Sequence, residues 1–283
     1  MLHSTKHLQR SGVVATDGAI GHVDDLYFDD EQWTIRYLVV DTASWRLGRN
    51  VLISPVLIRD IDWNHRVIAL SIDRDLVRNS PDIDTHKPIS RQHETEYLRY
   101  YQYPPYWGGV SLWGAAITPA AMGYASAIAA SVDREPLASR ERRRSPRDSH
   151  LRSTGDVIGY HIQASDGELG HVDDFLVDEE TWAIRYAVVD TSNWWFGKKV
   201  LVATDWIANV SWEHSKVVVD VRRQTLKDAP PYDPHMVIDR EWESRYFAHH
   251  DRLGYWETQH RSTGAPVTGS DHHGKDRRDD ARG

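Results

Sequence analysis

The chain has 283 residues, 40% of them hydrophobic and 27% charged, which is room for two modest globular domains and too apolar for a wholly disordered chain. It contains no cysteine, so a thiol nucleophile, a thiolate-held zinc or iron–sulfur centre and any disulfide framework are excluded. A formal net charge of −8 argues against a protein that coats nucleic acid with its whole surface, and 12 Trp and 13 Tyr against 4 Phe favour half-buried seams and interfaces.

The first twelve residues hold no apolar run of secretory-signal length, and the chain reads as cytoplasmic. Asp17-Gly18 between short apolar segments predicts a hairpin. His22 to Phe28 and Thr34 to Val40 predict two strands around an acidic turn at 29–32. Gly48 breaks the chain before a short strand at Val51 to Ile53. Leu57 to Trp63 and Val67 to Ile72 predict two more strands, joined at Asn64-His65-Arg66. Several short strands at close spacing argue for a small closed β-barrel. Ser90 to Tyr101 lacks Pro and Gly and sets Glu94, Tyr97 and Tyr101 at helical spacing, with Ser90 as N-cap. From Gln102 to Val132 no residue is charged, a length that could span a bilayer. Its Gly, Ala and Ser, with Pro104, Pro105 and Pro119, instead predict a flexible linker. An arginine cluster at 140–147 follows, and it reads as a solvated linker in preference to a phosphate-binding patch.

Beyond residue 150 the chain repeats itself. Gly21-His22-Val23-Asp24-Asp25 recurs as Gly170-His171-Val172-Asp173-Asp174, an offset of 149. The same offset carries Ile35-Arg36-Tyr37 onto Ile184-Arg185-Tyr186, and Trp33, Trp45, Trp63 and Trp107 onto Trp182, Trp194, Trp212 and Trp256. Leu2, Ser4 and Thr5 match Leu151, Ser153 and Thr154. Residues 2–107 therefore align with 151–256 without a gap. The expected organisation is two copies of one unit, a linker at 108–150 and a disordered tail at 257–283, with a second terminal helix from Asp239 to His250. The first copy carries net −3 and the second −7, while the linker carries +2.

The run Ser-Asp-Gly-Glu-Leu-Gly-His-Val-Asp-Asp at 165–174 resembles the PRC-barrel domain family. So do WAIRYAVVDT at 182–191, Asn193-Trp194-Trp195, Val-Leu-Val at 200–202 and Arg240-x-x-Glu243-x-x-Tyr246. The family takes its name from the cytoplasmic domain of the photosynthetic reaction centre H subunit. The resemblance implies a mainly β chain with two small, strongly bent barrels, each followed by a short helix. It also implies docking to other macromolecules without a shared catalytic residue set.

His22 and Asp24 point to one strand face, as do His171 and Asp173, yet two ligands fall short of the three or four a metal site needs. A cross-strand ion pair is the expected use: with Leu26 opposite Arg36, Asp24 reaches Arg36, and Asp173 reaches Arg185 in the second copy. Trp45, Trp194 and Trp195 sit beside a Gly in predicted loops and are the interface candidates. No catalytic triad, phosphate-cradling loop or paired-carboxylate site is legible, so no catalytic, cofactor or metal residue is assigned and no enzyme is expected. The expected function is a docking or assembly module with a protein partner or a second copy of itself. By the family likeness, the alternatives are an accessory of photosynthetic or respiratory electron transfer and an RNA- or ribosome-associated factor. The acidic barrels argue against nucleic acid, and no small-molecule substrate is identified.

Overall fold

The computed structural model of the chain describes residues 1–42, 50–81, 89–107, 109–131, 150–191 and 198–257. A short arm strand β1 (Leu2–Ser4) leads into one helical turn, α1 (Thr5–Leu8). Then come β2 (Gly12–Ala15), β3 (Gly18–Asp29), β4 (Thr34–Asp41), β5 (Asn50–Ile53), a 3-10 turn at Pro55–Leu57, β6 (Ile58–Asp62) and β7 (Val67–Leu70). Helices α2 (Arg74–Arg78), α3 (Arg91–Tyr100) and α4 (Pro119–Ser131) follow. The second set is β8 (Leu151–Ser153), α5 (Thr154–Val157), β9 (His161–Ala164), β10 (Gly167–Asp178), β11 (Ile184–Asp190) and β12 (Lys199–Ala203). It continues with a 3-10 turn at Thr204–Trp206, β13 (Ile207–Ser211), β14 (Lys216–Val219), α6 (Arg223–Asp228) and α7 (Arg240–His249).

The two sheets have the same order, β5-β4-β3-β2-β7-β6 and β12-β11-β10-β9-β14-β13. The outermost strands of each order, such as β5 and β6, are consecutive in sequence and separated only by a 3-10 turn, which bends the sheet back on itself. The predicted hairpin forms at Asp17-Gly18, where Gly18 takes φ 145°, and Gly167 repeats it at 141°. Val23, Leu26, Phe28, Ile35, Leu38 and Val40 fill the first core, and Val172, Phe175, Leu176, Ile184, Tyr186 and Val188 fill the second.

Two features depart from the sequence-based expectation. First, each sheet has a seventh strand borrowed from the other repeat. β1 pairs with β10, in the register Leu2↔Asp178 to Ser4↔Leu176, and β8 pairs with β3, in the register Leu151↔Asp29 to Ser153↔Tyr27. The sheets also meet directly, since Ile35 N donates to Trp182 O at 2.8 Å and Ile184 N to Trp33 O at 2.6 Å. Both tryptophans hold a left-handed backbone, φ 49° and 59°, strained for so bulky a residue. Phe28, Trp33 and Phe175 pack together at this seam. Both repeats thus lie in one compact unit, Met1–Asp239.

Second, the expected linker is in part built structure. Pro119 opens α4 at the first helical turn, and the Thr118 hydroxyl accepts from Ala121 N at 3.2 Å. Met122 is buried, and Gly123 lets the helix approach Val56, whose Cγ1 lies 3.3 Å from where a Cβ would sit. At 13 residues α4 is too short to span a bilayer, and no described helix is long and apolar enough to cross a membrane.

The remainder, Arg240–Gly283, is a second unit. Within it Arg240 pairs with Glu243 at 3.1 Å and lies 4.0 Å over the Trp256 ring, and Tyr255 donates to Glu243 at 3.3 Å.

Candidate functional site

The bulges of the long strands decide where the predicted site residues go. In β3–β4 the pairs Leu26↔Leu38 and Tyr27↔Tyr37 are followed by Phe28↔Ile35, and Val23↔Val40 by Asp25↔Val39. Arg36 and Asp24 are therefore the extra residues of two bulges, and Leu26 does not face Arg36. The expected pairs Asp24–Arg36 and Asp173–Arg185 are corrected accordingly. Arg36 lies 3.6 Å from Asp29, Arg185 lies 3.3 Å from Asp178, and Asp24 is exposed. Asp173 instead meets Lys6 at 2.9 Å and Lys199 at 2.7 Å, whose hydrogen bonds outweigh burial and hold its carboxyl below the ordinary value. His22 stands 3.8 Å from Asp41. Among the described residues no three His, Asp or Glu side chains converge as metal ligands. The interface candidates Trp45, Trp194 and Trp195 lie outside the described residues.

Arg36 is the centre of a buried polar cluster that spacing alone does not reveal. Its side chain is 0% exposed. Besides Asp29 it donates to Leu112 O at 2.6 Å and Gln32 Oε1 at 2.5 Å, and it lies 3.9 Å over Tyr106 and 4.9 Å over Trp113. Beside it, Glu94 of α3 accepts from Tyr106 at 2.5 Å, Tyr37 at 3.3 Å and Arg91 at 3.2 Å. Burial pushes the Glu94 carboxyl up to about 7, against the pull of Arg91, the Tyr106 hydroxyl and Arg36. Tyr37 and Tyr106 are likewise driven well above the ordinary phenol value, first by burial and then by Glu94. Trp113 donates to Thr181 O at 2.8 Å, so the segment following α3 ties the first sheet to the second repeat. Glu94 is 2% exposed, so the cluster leaves no opening to solvent at its carboxyl.

The second Asp of each His-Val-Asp-Asp run has a separate task. Asp174 accepts from the hydroxyls of Ser4 and of Thr5 (2.7 Å for Thr5) and from Lys6 N at 3.2 Å. Asp25 accepts from Ser153 Oγ at 2.5 Å, Thr154 Oγ1 at 3.1 Å and Gly155 N at 3.2 Å. The carboxylate that follows each bulge thus clasps the arm of the other repeat. Burial raises the Asp25 carboxyl, and those hydrogen bonds with Leu26 N oppose it.

Segment 109–127, called the ridge below, carries three of the exposed large apolar residues. Val110 is fully exposed, Ile117 60% and Tyr124 72%, in a stretch without charge from 102 to 132. Uncovered apolar residues are candidates for contact with another molecule when they form one patch.

Residues 152–226 match the family model of the PRC-barrel domain. The second repeat is a PRC-barrel domain. The matched segment begins in the arm β8, which in this chain sits on the other sheet, and ends in α6. The first repeat has the same strand order, bulges and arm-clasping Asp as this PRC-barrel. No curated protein matches the chain.

Proposed function

We propose that this protein is a non-catalytic docking or assembly module that binds a protein partner through the ridge on its first barrel. The observation that carries the reading is the charge-free segment 109–127, whose Gly123 lies against Val56 of the 3-10 turn and whose Met122 is buried, yet which leaves Val110, Ile117 and Tyr124 uncovered. Large apolar side chains stay uncovered only at a cost, which a partner removes. The polar machinery nearby supports the same reading, because Arg36, Asp29 and Glu94 are spent on each other and on the lid that covers them. Trp45, Trp194 and Trp195 form a second set of proposed contacts.

The test is co-purification from native cells with the full chain, Ile117→Asp/Tyr124→Asp, and Trp45→Ala/Trp194→Ala/Trp195→Ala, each checked for folding by near-UV circular dichroism. Loss of a specific companion in the ridge variant supports the reading. Undiminished recovery with a folded ridge variant removes the ridge, and the same outcome for the tryptophan variant removes those loops.

A further inference from the structure

The arm site occurs twice, once on each of two repeats of differing sequence, and both copies read the same four-residue chemistry. Each arm adds an antiparallel strand to a long β-strand, at Leu176–Asp178 and at Tyr27–Asp29, so its backbone is recognised by sheet hydrogen bonding. At its first position is a leucine, Leu2 half-buried and Leu151 buried. The second position is basic and meets an acid of the opposite turn: His3 lies 2.8 Å from Glu179, and Arg152 lies 2.8 Å from Asp30. Its outer face is covered by a tryptophan, His3 stacking on Trp63 at 3.5 Å and Arg152 lying 4.3 Å over Trp212. The third and fourth positions, Ser-Thr, give both hydroxyls to the one aspartate that follows the bulge, which also takes the backbone N–H of the next residue, Lys6 or Gly155. That the basic residue changed from His to Arg while its acid changed from Glu to Asp shows the pairing kept by chemistry and not by identity.

We propose that the edge of β10 with Asp174 and Glu179, and the edge of β3 with Asp25 and Asp30, are recognition sites for extended peptides of the form Leu-basic-Ser-Thr. Each is filled in this chain by the arm of the opposite repeat and able to take the same segment as a separate peptide. The reading does not depend on the ridge being a docking surface. The ligand chemistry is a strand that ends in a helix N-cap: the two hydroxyls and the first free N–H of a helical turn converge on a single carboxylate, a geometry only a chain turning from strand to helix presents.

The test keeps the protein whole. A protease site is placed between Gln9 and Arg10, in the turn between α1 and β2, and after cutting residues 1–9 remain as a non-covalent ligand. Fluorescently labelled peptide Met1–Gln9 is added in excess and its anisotropy followed. The expected result is one labelled peptide per cut chain, displaced by unlabelled peptide, at least tenfold weaker for a Ser4→Ala/Thr5→Ala peptide, and lost in an Asp174→Asn chain. An uncut chain takes up none. A cut chain that keeps its fold but does not bind the peptide overturns the proposal.

Should cutting unfold the protein, hydrogen exchange on uncut chains decides. Protection of the arm amides falls at least tenfold in Ser4→Ala/Thr5→Ala and in His3→Glu, and is retained in His3→Arg. Equal protection in His3→Glu and the parent overturns the reading of the second position and with it the site.

Discussion

Replacing Glu94 by Gln tests the buried cluster through its pH dependence. In the unfolded chain Glu94 ionises at its ordinary 4.5, whereas in the fold burial holds the proton on up to about 7. The folded state therefore binds more protons across that interval, and the stability Glu94 contributes is fully present below 4.5 and lost as the pH rises towards 7. At about 1.4 kcal/mol per pH unit, the interval amounts to about 3 kcal/mol. Gln has the shape of the protonated acid and keeps an acceptor for Tyr106 and Tyr37, but no longer accepts from Arg91. That loss costs about 1 kcal/mol at every pH. Urea unfolding of both proteins from pH 4.5 to 8 measures the difference. Other groups titrate in the same range, His3 held low chiefly by burial and Asp25 raised by it, but they are common to both proteins and cancel. The expected outcome is a variant slightly weaker than the parent at pH 4.5 and about 2 kcal/mol stronger at pH 8. Parallel profiles would refute the argument, because then Glu94 is ionised and solvated, or neutral, throughout.

Three further outcomes are expected. Arg36→Met leaves Asp29 buried without its counter-ion and Tyr106 and Trp113 without their cation, and at pH 7 it should cost about 3–5 kcal/mol by urea unfolding, with a shift in tryptophan emission; a cost below about 1 kcal/mol would contradict it. Gly21→Ala and Gly170→Ala place a Cβ 1.9 Å from Asp41 O and 2.1 Å from Asp190 O, so each should lower the unfolding free energy from urea unfolding by about 1–3 kcal/mol or more. Gly12→Ala, whose Cβ meets only Arg66 O at 3.9 Å, should lose little by the same assay. A protease site inserted between Arg143 and Arg144 and then cut should give two fragments that still co-elute on gel filtration, since the exchanged arms and the Phe28–Phe175 seam join the repeats without the connection; separate elution would mean the exchange does not hold them.

The barrels were legible because their signals are local. Asp17-Gly18 and Asp166-Gly167 mark hairpins by turn chemistry, Ser90 caps α3 as expected by accepting from His93 N, and a constant offset of 149 needs no structural knowledge. The ion pairs were misplaced because a bulge adds one residue to one strand without changing the hydrophobic alternation of its neighbours, so Arg36 slid from Asp24 to Asp29. The ridge was missed for another reason: an Ala- and Gly-rich segment has no amphipathic stripe, and α4 owes its place to Gly123 against Val56, a tertiary contact. The arms gave the least notice. A three-residue strand carries no periodicity, and because both repeats carry the same arm and the same aspartate, pairing within a repeat and pairing across repeats predict identical sequences.

That equivalence has a physical consequence, which the differences between the two arms expose. A strand edge left bare at Tyr27–Asp29 or Leu176–Asp178 would offer unpaired backbone to any neighbour, and the exchange covers both edges at once. The arms are not held alike. The first has Lys6 on Asp173, with Lys199 alongside, and Met1's amine on Glu179 at 2.7 Å. The second has Gly155 where the first has Lys6, and the half-buried His150 stands 3.6 Å from Glu31. Half-exposed pairs of this kind contribute about 0–1 kcal/mol each, so neither arm is fixed by charge alone. What both share is a carboxylate, buried at Asp174 and half-buried at Asp25, that accepts from two hydroxyls and a backbone N–H. The fidelity of the exchange is therefore expected to rest first on Asp25 and Asp174, with the His3–Glu179 and Arg152–Asp30 contacts beside them and the other flanking charges contributing least.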